Sequence, residues 1–291
     1  MATTITAAEV KKLRDATGAG MMDCKSALEE ARGNLDEATT ILRKKGLASA
    51  AKKAGRATAD GLIAHRVSAD HHSGVLVEVN CETDFVARTD DFQQLMADVI
   101  GLIEQAGDKA TDEWLKDPNG PVQQRVAVTI GKVGENMAVS RFARYAGSNY
   151  VDQYIHPPGK IGVMVEIAGA TPEIAGRAEF TTLVKDLMLQ IAAASPTYAS
   201  REAVPADALE KEKAIYRAQM ENSGKPANVI DKIVEGKLGA FYEQIVLVDQ
   251  MFIRVETKQK VSDVIAGANK ALGARLSVVR FARLKVGEAS A

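Results

Sequence analysis

The first place to look for chemistry is Gly18-Ala-Gly-Met-Met-Asp-Cys-Lys-Ser26, a glycine-rich stretch that ends in Lys-Ser. A phosphate-binding loop needs glycine immediately before the Lys-Ser pair and another five residues earlier. Cys24 and Ala19 hold those positions, and Asp23 would repel a phosphate. The stretch is not read as a nucleotide site. The histidines are His65, His71, His72 and His156. They have neither the i, i+4 spacing of a helical zinc site nor a cysteine partner nearby. His71 and His72 lie between Asp70 and Ser73-Gly74, which reads as a turn carrying solvated histidines. No Gly-x-Ser-x-Gly motif or carboxylate cluster offers itself as a catalytic centre. That lowers the expectation of an enzyme. An enzyme whose site is assembled across the chain stays as an alternative, because catalytic groups converge in space rather than in sequence.

One segment stands apart, Glu78-Val-Asn-Cys-Glu-Thr-Asp-Phe-Val-Ala-Arg88. An apolar strand runs into Thr83-Asp84, residue types that cap helices. Phe85 follows on the turn and is the first aromatic of the chain. It is either a buried staple or an exposed anchor for a partner, since exposed aromatics are typical interface hot spots. A second feature is basic. Residues 42–56 hold Arg43, Lys44, Lys45, Lys52, Lys53 and Arg56 with no acid. That stretch is either a solvated helical face or a contact for an anionic surface. Residues 1–84 lack Phe, Tyr and Trp, so the base-stacking platforms of single-strand binders are missing there.

The chain that must position these residues has 291 of them, enough for about two domains. Apolar residues make up 46% and charged ones 26%, so a sizeable core can form. The 37 Lys and Arg against 38 Asp and Glu leave a net charge of −1, which argues against phosphate binding along the whole chain. Cys24 and Cys81 form no disulfide-framework pattern, so a reducing cytosol is the simplest compartment. Met1-Ala-Thr-Thr-Ile5 does not read as a signal peptide, and no stretch approaches the ~18 apolar residues of a membrane span.

The first ~46 residues predict three short helices. Thr6-Ala-Ala-Glu9 is a capping box, Asp23 caps a second helix, and Asn34 starts a third that Gly46 ends. A helical linker follows over 42–56, broken at Gly55. The rest of the chain repeats itself. Gly74-Val-Leu-Val-Glu-Val79 matches Gly162-Val-Met-Val-Glu-Ile167, an offset of 88 from Gly74 to Gly162. At the same offset Thr83 meets Thr171, Phe92 meets Phe180 and Ile103 meets Ile191. Arg141-Phe-Ala-Arg144 matches Arg280-Phe-Ala-Arg283 at an offset of 139, and Gly134 matches Gly273. The difference between the offsets leaves 51 extra residues in the second copy. There Leu209, Tyr216 and Met220, then Ile230, Val234, Leu238 and Phe241, recur at helical spacing around Ser223-Gly224-Lys225-Pro226. This predicts an antiparallel helical hairpin over ~205–243, packed on itself or touching a partner with its tip. Each copy reads as α+β: short antiparallel strands with helices 92–105 and 122–131, or 180–193 and 261–271, on one face. In the second copy Glu173 takes the place of Phe85 and Pro172 that of Asp84. A residue needed only to build the repeat would be apolar in both, so Phe85 has a task of the first copy alone.

Leu13-Arg-Asp-Ala-Thr-Gly-Ala-Gly-Met-Met-Asp-Cys-Lys-Ser-Ala-Leu28 and Glu78-Val-Asn-Cys-Glu-Thr-Asp-Phe-Val-Ala-Arg88 resemble the two signatures of the bacterial elongation factor Ts family. Ala50-Ala-Lys-Lys-Ala-Gly55, Ala59-Asp-Gly61 and Gly131-Lys-Val-Gly-Glu-Asn136 are similar to it too. The resemblance implies a cytoplasmic guanine-nucleotide exchange factor for elongation factor Tu that acts by protein contact and not as an enzyme, and that binds no nucleotide, cofactor, metal, nucleic acid or membrane itself. It implies an N-terminal ubiquitin-associated-like domain with its linker over residues 1–54. It further implies core subdomains over 55–147 and 148–291, the second carrying the hairpin as a coiled coil. In the family the turn here formed by Thr83, Asp84, Phe85 and Val86 pushes into the partner's GTPase domain and displaces the groups holding magnesium and phosphates. Further contacts are implied at Met21, Met22, Val133 and His156, the last in Tyr154-Ile-His156. The rival expectation is a ribosome- or RNA-associated protein using the basic linker.

Overall fold

A computed structural model describes residues 5–220, 226–254 and 258–288. Helix α1 (Ala7–Thr17) opens on the expected box: the Thr6 hydroxyl accepts the Glu9 N–H at 3.3 Å, and Glu9 Oε2 accepts the Thr6 N–H at 2.8 Å. Gly18, at φ 67°, ends it. Helix α2 (Met21–Glu30) corrects one expectation. It starts from Gly20 with no side-chain cap, three residues before Asp23. Asp23 falls inside the first turn, where a carboxylate suits the positive end of the helix dipole.

Helix α3 corrects another, because it runs unbroken through Gly46, over Leu35–Lys53. Gly46 is buried where α3 crosses a later helix, α7 (Pro121–Val133). A Cβ on Gly46 would stand 3.3 Å from the carbonyl oxygen of Ala127. Glycine marks a close helix crossing here, and the alanines beyond it carry the helix on. The basic stretch is thus part of a packed helix whose Ala50 touches the core under α7. Val10, Leu13, Cys24, Leu28, Ala38 and Leu42 close the small core of α1–α3.

Strands β1 (Asp60–Val67), β2 (Ser73–Cys81) and β3 (Met137–Ala146) form an antiparallel sheet in that order. Between β2 and β3 lie α4 (Asp84–Ala87), α5 (Asp90–Ala106), α6 (Asp112–Lys116) and α7. Strands β4 (Tyr150–His156), β5 (Ile161–Ala168) and β6 (Ser277–Lys285) form a second antiparallel sheet. Between β5 and β6 come α8 (Pro172–Ala175), α9 (Ala178–Ala194), α10 (Ala206–Met220), α11 (Ala227–Ile245) and α12 (Val261–Leu272). The fold is α+β. The matched sequence positions take matching places. Phe92 and Phe180 are fully buried at the starts of α5 and α9. Arg141 reaches the buried Glu78 at 2.7 Å, and Arg280 reaches Glu166 at 2.6 Å. Each central strand changes register directly after that glutamate.

Helices α5 and α7 cover one face of the first sheet, and α9 and α12 one face of the second. The remaining faces meet each other through Ile63, Leu76, Tyr145, Val151, Met164 and Leu284. Central strands β2 and β5 are therefore buried on both sides, which is why they read as unbroken apolar runs. In the β1–β2 turn His71 is not solvated as expected. His71 stacks on Tyr150 with ring centroids 4.6 Å apart, and its Nδ1 lies 3.0 Å from the Val151 carbonyl oxygen. Its neighbour His72 is exposed. Helices α10 and α11 lie against each other, joined by Lys237 to Gln219 at 2.6 Å, with Val234 and Leu238 buried. The expected turn at 223–225 lies outside the described residues.

Candidate partner interface

The Thr83–Val86 turn is a single helical turn set on a buried root. Cys81 ends β2 in full burial, and its Sγ–H donates to the Thr83 carbonyl at 3.1 Å. Burial pushes that thiol up to about 11, with Asp60 and Glu135 adding to the rise. Thr83 then caps α4, its hydroxyl accepting the Val86 N–H at 3.4 Å. Val86 and Ala87 point into the core of the first sheet. A helical turn that buries those two residues throws Phe85 outward, and its side chain is 77% exposed. The reading of Phe85 as a buried staple is thereby excluded. Asp84 is held by Arg88 at 2.8 Å.

Segments distant in sequence converge under this turn. Thr83 Oγ1 lies 3.1 Å from both carboxylate oxygens of Glu135, in the connection between α7 and β3. Glu82 accepts the Asn136 N–H at 2.6 Å and meets Arg56 at 3.4 Å. The Asn136 bond, and then Arg56, hold the Glu82 carboxyl below its ordinary range. Asn136 Nδ2 donates in turn to the Arg56 carbonyl at 2.8 Å. Asp60, paired in register with Cys81, accepts from Lys160, which draws the 157–160 loop to the same root. The Lys160 contact keeps the Asp60 carboxyl low.

His156 stands exposed at the head of that loop, its Nδ1 2.9 Å from the Tyr154 hydroxyl. Val133 ends α7 half-buried, packed in part against the first core. Met21 and Met22 are 53% and 73% exposed in the first turn of α2, outside this cluster. The sequence reading missed Arg56, Glu82 and Glu135 as supports of the turn. Glu135 lies in Gly131–Asn136, Glu82 in Glu78–Arg88 and Arg56 in the basic stretch, but nothing in the sequence brought the three together.

A cleft of about 780 Å³ opens beside the α3–α7 crossing, lined by Arg43, Ser49, Asp98, Leu102, Arg125 and others. Its charges are mixed, with Arg125 bound to Asp98 at 2.5 Å. Among the described residues no group of three or more His, Cys, Asp or Glu could hold a metal ion, and no helix is long and apolar enough to cross a membrane.

The family described as elongation factor TS matches residues 82–288. Elongation factor Ts of Trichlorobacter lovleyi is 43% identical over 290 residues, covering 98% of this chain and 93% of that protein. Elongation factor Ts of Nitratiruptor sp. is 44% identical over 288 residues, with coverage of 98% and 93%. That of Aquifex aeolicus is 43% identical over 289 residues, with 96% and 97%. Likeness of this extent reaches from the helices that hold Met21 and Met22 to the end of the second sheet, and it places the whole chain: it belongs to the elongation factor Ts family.

Proposed function

We propose that this protein is a guanine-nucleotide exchange factor for elongation factor Tu in protein synthesis, and that the Thr83-Asp84-Phe85-Val86 turn is its wedge. The turn enters the GTPase domain and displaces the groups that hold magnesium and the phosphates. The observation that carries the reading is Phe85, a large aromatic 77% exposed on a turn whose other apolar residues are buried. Met21, Met22, Val133 and His156 are assigned as secondary contacts, the methionines because flexible thioether side chains suit an adaptable surface. The factor works in the cytoplasm by protein contact and carries out no chemical step. It binds no nucleotide, nucleic acid or membrane of its own.

A wedge can speed release only by binding better to the distorted, nucleotide-free partner. The coupling is reciprocal: the factor weakens nucleotide binding by the ratio in which nucleotide weakens the factor. Fresh nucleotide therefore ejects the factor and lets it recycle. The ribosome- or RNA-binding reading gains nothing from α3. Two of the cations it would use are already paired, Lys45 with Glu30 at 2.9 Å and Arg56 with Glu82.

The test is to titrate the chain into elongation factor Tu loaded with fluorescent GDP. The release rate should rise and saturate. No acceleration at saturating concentration would refute the proposal.

A further inference from the structure

A four-residue helix does not hold its own shape, because one turn fixes several backbone angles for a single hydrogen bond. Phe85 adds nothing to that shape, since it packs on little. Something outside α4 must hold the turn. We propose, on the wedge reading above, that Glu135 is a positioning residue for nucleotide exchange: its carboxylate accepts the hydrogen bond of the Thr83 hydroxyl and fixes the turn that presents Phe85.

The geometry is reciprocal. A hydroxyl has one proton and two lone pairs. With the O–H donating to Glu135, a lone pair faces the Val86 N–H and the cap is set. One residue along on each side the grip runs the other way, with the Asn136 N–H donating to Glu82 at 2.6 Å. Two adjacent residues on each segment thus hold two on the other, across 52 positions of sequence. Arg56, beyond the end of α3, closes the ring through Glu82 and Asn136.

The second copy supplies the comparison. At the offset of 88 Glu82 becomes Ala170, and at the offset of 139 Glu135 becomes Ala274. Both acids of the grip are missing from the copy that has Glu173 in place of Phe85. Yet α8 forms there, and Thr171 still caps it through the Ile174 N–H at 3.3 Å. The fold of the turn does not require the grip. The grip accompanies the exposed aromatic.

The experiment uses the full chain and reads release of fluorescent GDP from elongation factor Tu, together with thermal unfolding. The variants are Glu135→Ala and Glu135→Gln, each alone and combined with Phe85→Ala. Glu135→Ala should lower the maximal release rate about tenfold, the scale of one hydrogen bond to a charged group. Glu135→Gln should recover most of it, because the amide oxygen still accepts from Thr83. The melting temperature should move by no more than about 2–4 °C. In the Phe85→Ala background Glu135→Ala should add nothing, since it acts only through the aromatic.

An effect that adds in full to that of Phe85→Ala, or a collapsed melting temperature, makes Glu135 merely structural and overturns the proposal. A full rate in Glu135→Ala also overturns it, while a slow Phe85→Ala in the same series leaves the wedge standing. Normal exchange by Phe85→Ala removes the wedge and this proposal together.

Discussion

The root of the turn is a cysteine, and its surroundings make a claim that thiol chemistry can check. Cys81 is fully buried, and burial lifts its thiol from 9.0 to about 11. Cys24, also fully buried, is raised for the same first reason. A thiolate is the reactive form, so both groups should be inert in the folded chain at pH 8. Iodoacetamide should label neither within minutes, and both on unfolding in urea. Fast native labelling of Cys81 would mean that the root of the turn is open. The sign for stability follows from the raised value. What Cys81 contributes is fully present below about pH 9 and is lost as pH rises towards about 11. His71 marks the limit of residue-scale reading. A turn flanked by Asp70 and Ser73-Gly74 looks solvated, because the ring that covers His71 belongs to Tyr150, far along the chain.

Gly46 is the decisive position among the helices. A glycine after a run of helical residues ordinarily ends a helix, and the helix-prone alanines beyond it then read as a separate linker. What it does instead depends on Ala127, 81 positions away, whose backbone lies too near for a side chain. Gly46→Leu should therefore cost about 1–3 kcal/mol, the range for overpacking, because a backbone oxygen cannot step aside. Thermal unfolding measures it, and a melting temperature equal to that of the parent would show that the crossing is loose. The hairpin makes the opposite case. Among its described residues α10 has none buried, and α11 buries only Val234 and Leu238. Replacing about 205–243 by a short loop should leave a cooperatively unfolding protein with both sheets. Loss of the cooperative transition would place the hairpin in the core.

For the whole molecule, the apolar runs 75–79 and 163–167 were legible as strands, and their repetition revealed two alike sheets with helices. That the sheets stack on each other was not legible. A run apolar on both faces says that it is covered, not by what, and Leu76 meeting Met164 is a fact of tertiary structure. That Phe85 stands apart from the repeat was legible for a different reason. The duplication supplied an internal control in which Glu173 replaces Phe85. Its supports were hidden because Arg56 and Glu135 meet Glu82 and Thr83 from segments far away in sequence.

The central claim is that an exposed Phe85 drives nucleotide release, and one pair of measurements on Phe85→Ala decides it. An interface anchor of this kind costs ~2–4 kcal/mol when truncated. Lost only from the distorted partner state, that lowers stopped-flow release of fluorescent GDP from elongation factor Tu by roughly thirty- to a thousandfold. The melting temperature should stay near that of the parent, since the side chain is 77% exposed. Release at the parent's rate would contradict the account, and slow release with a collapsed melting temperature would make Phe85 a structural residue instead.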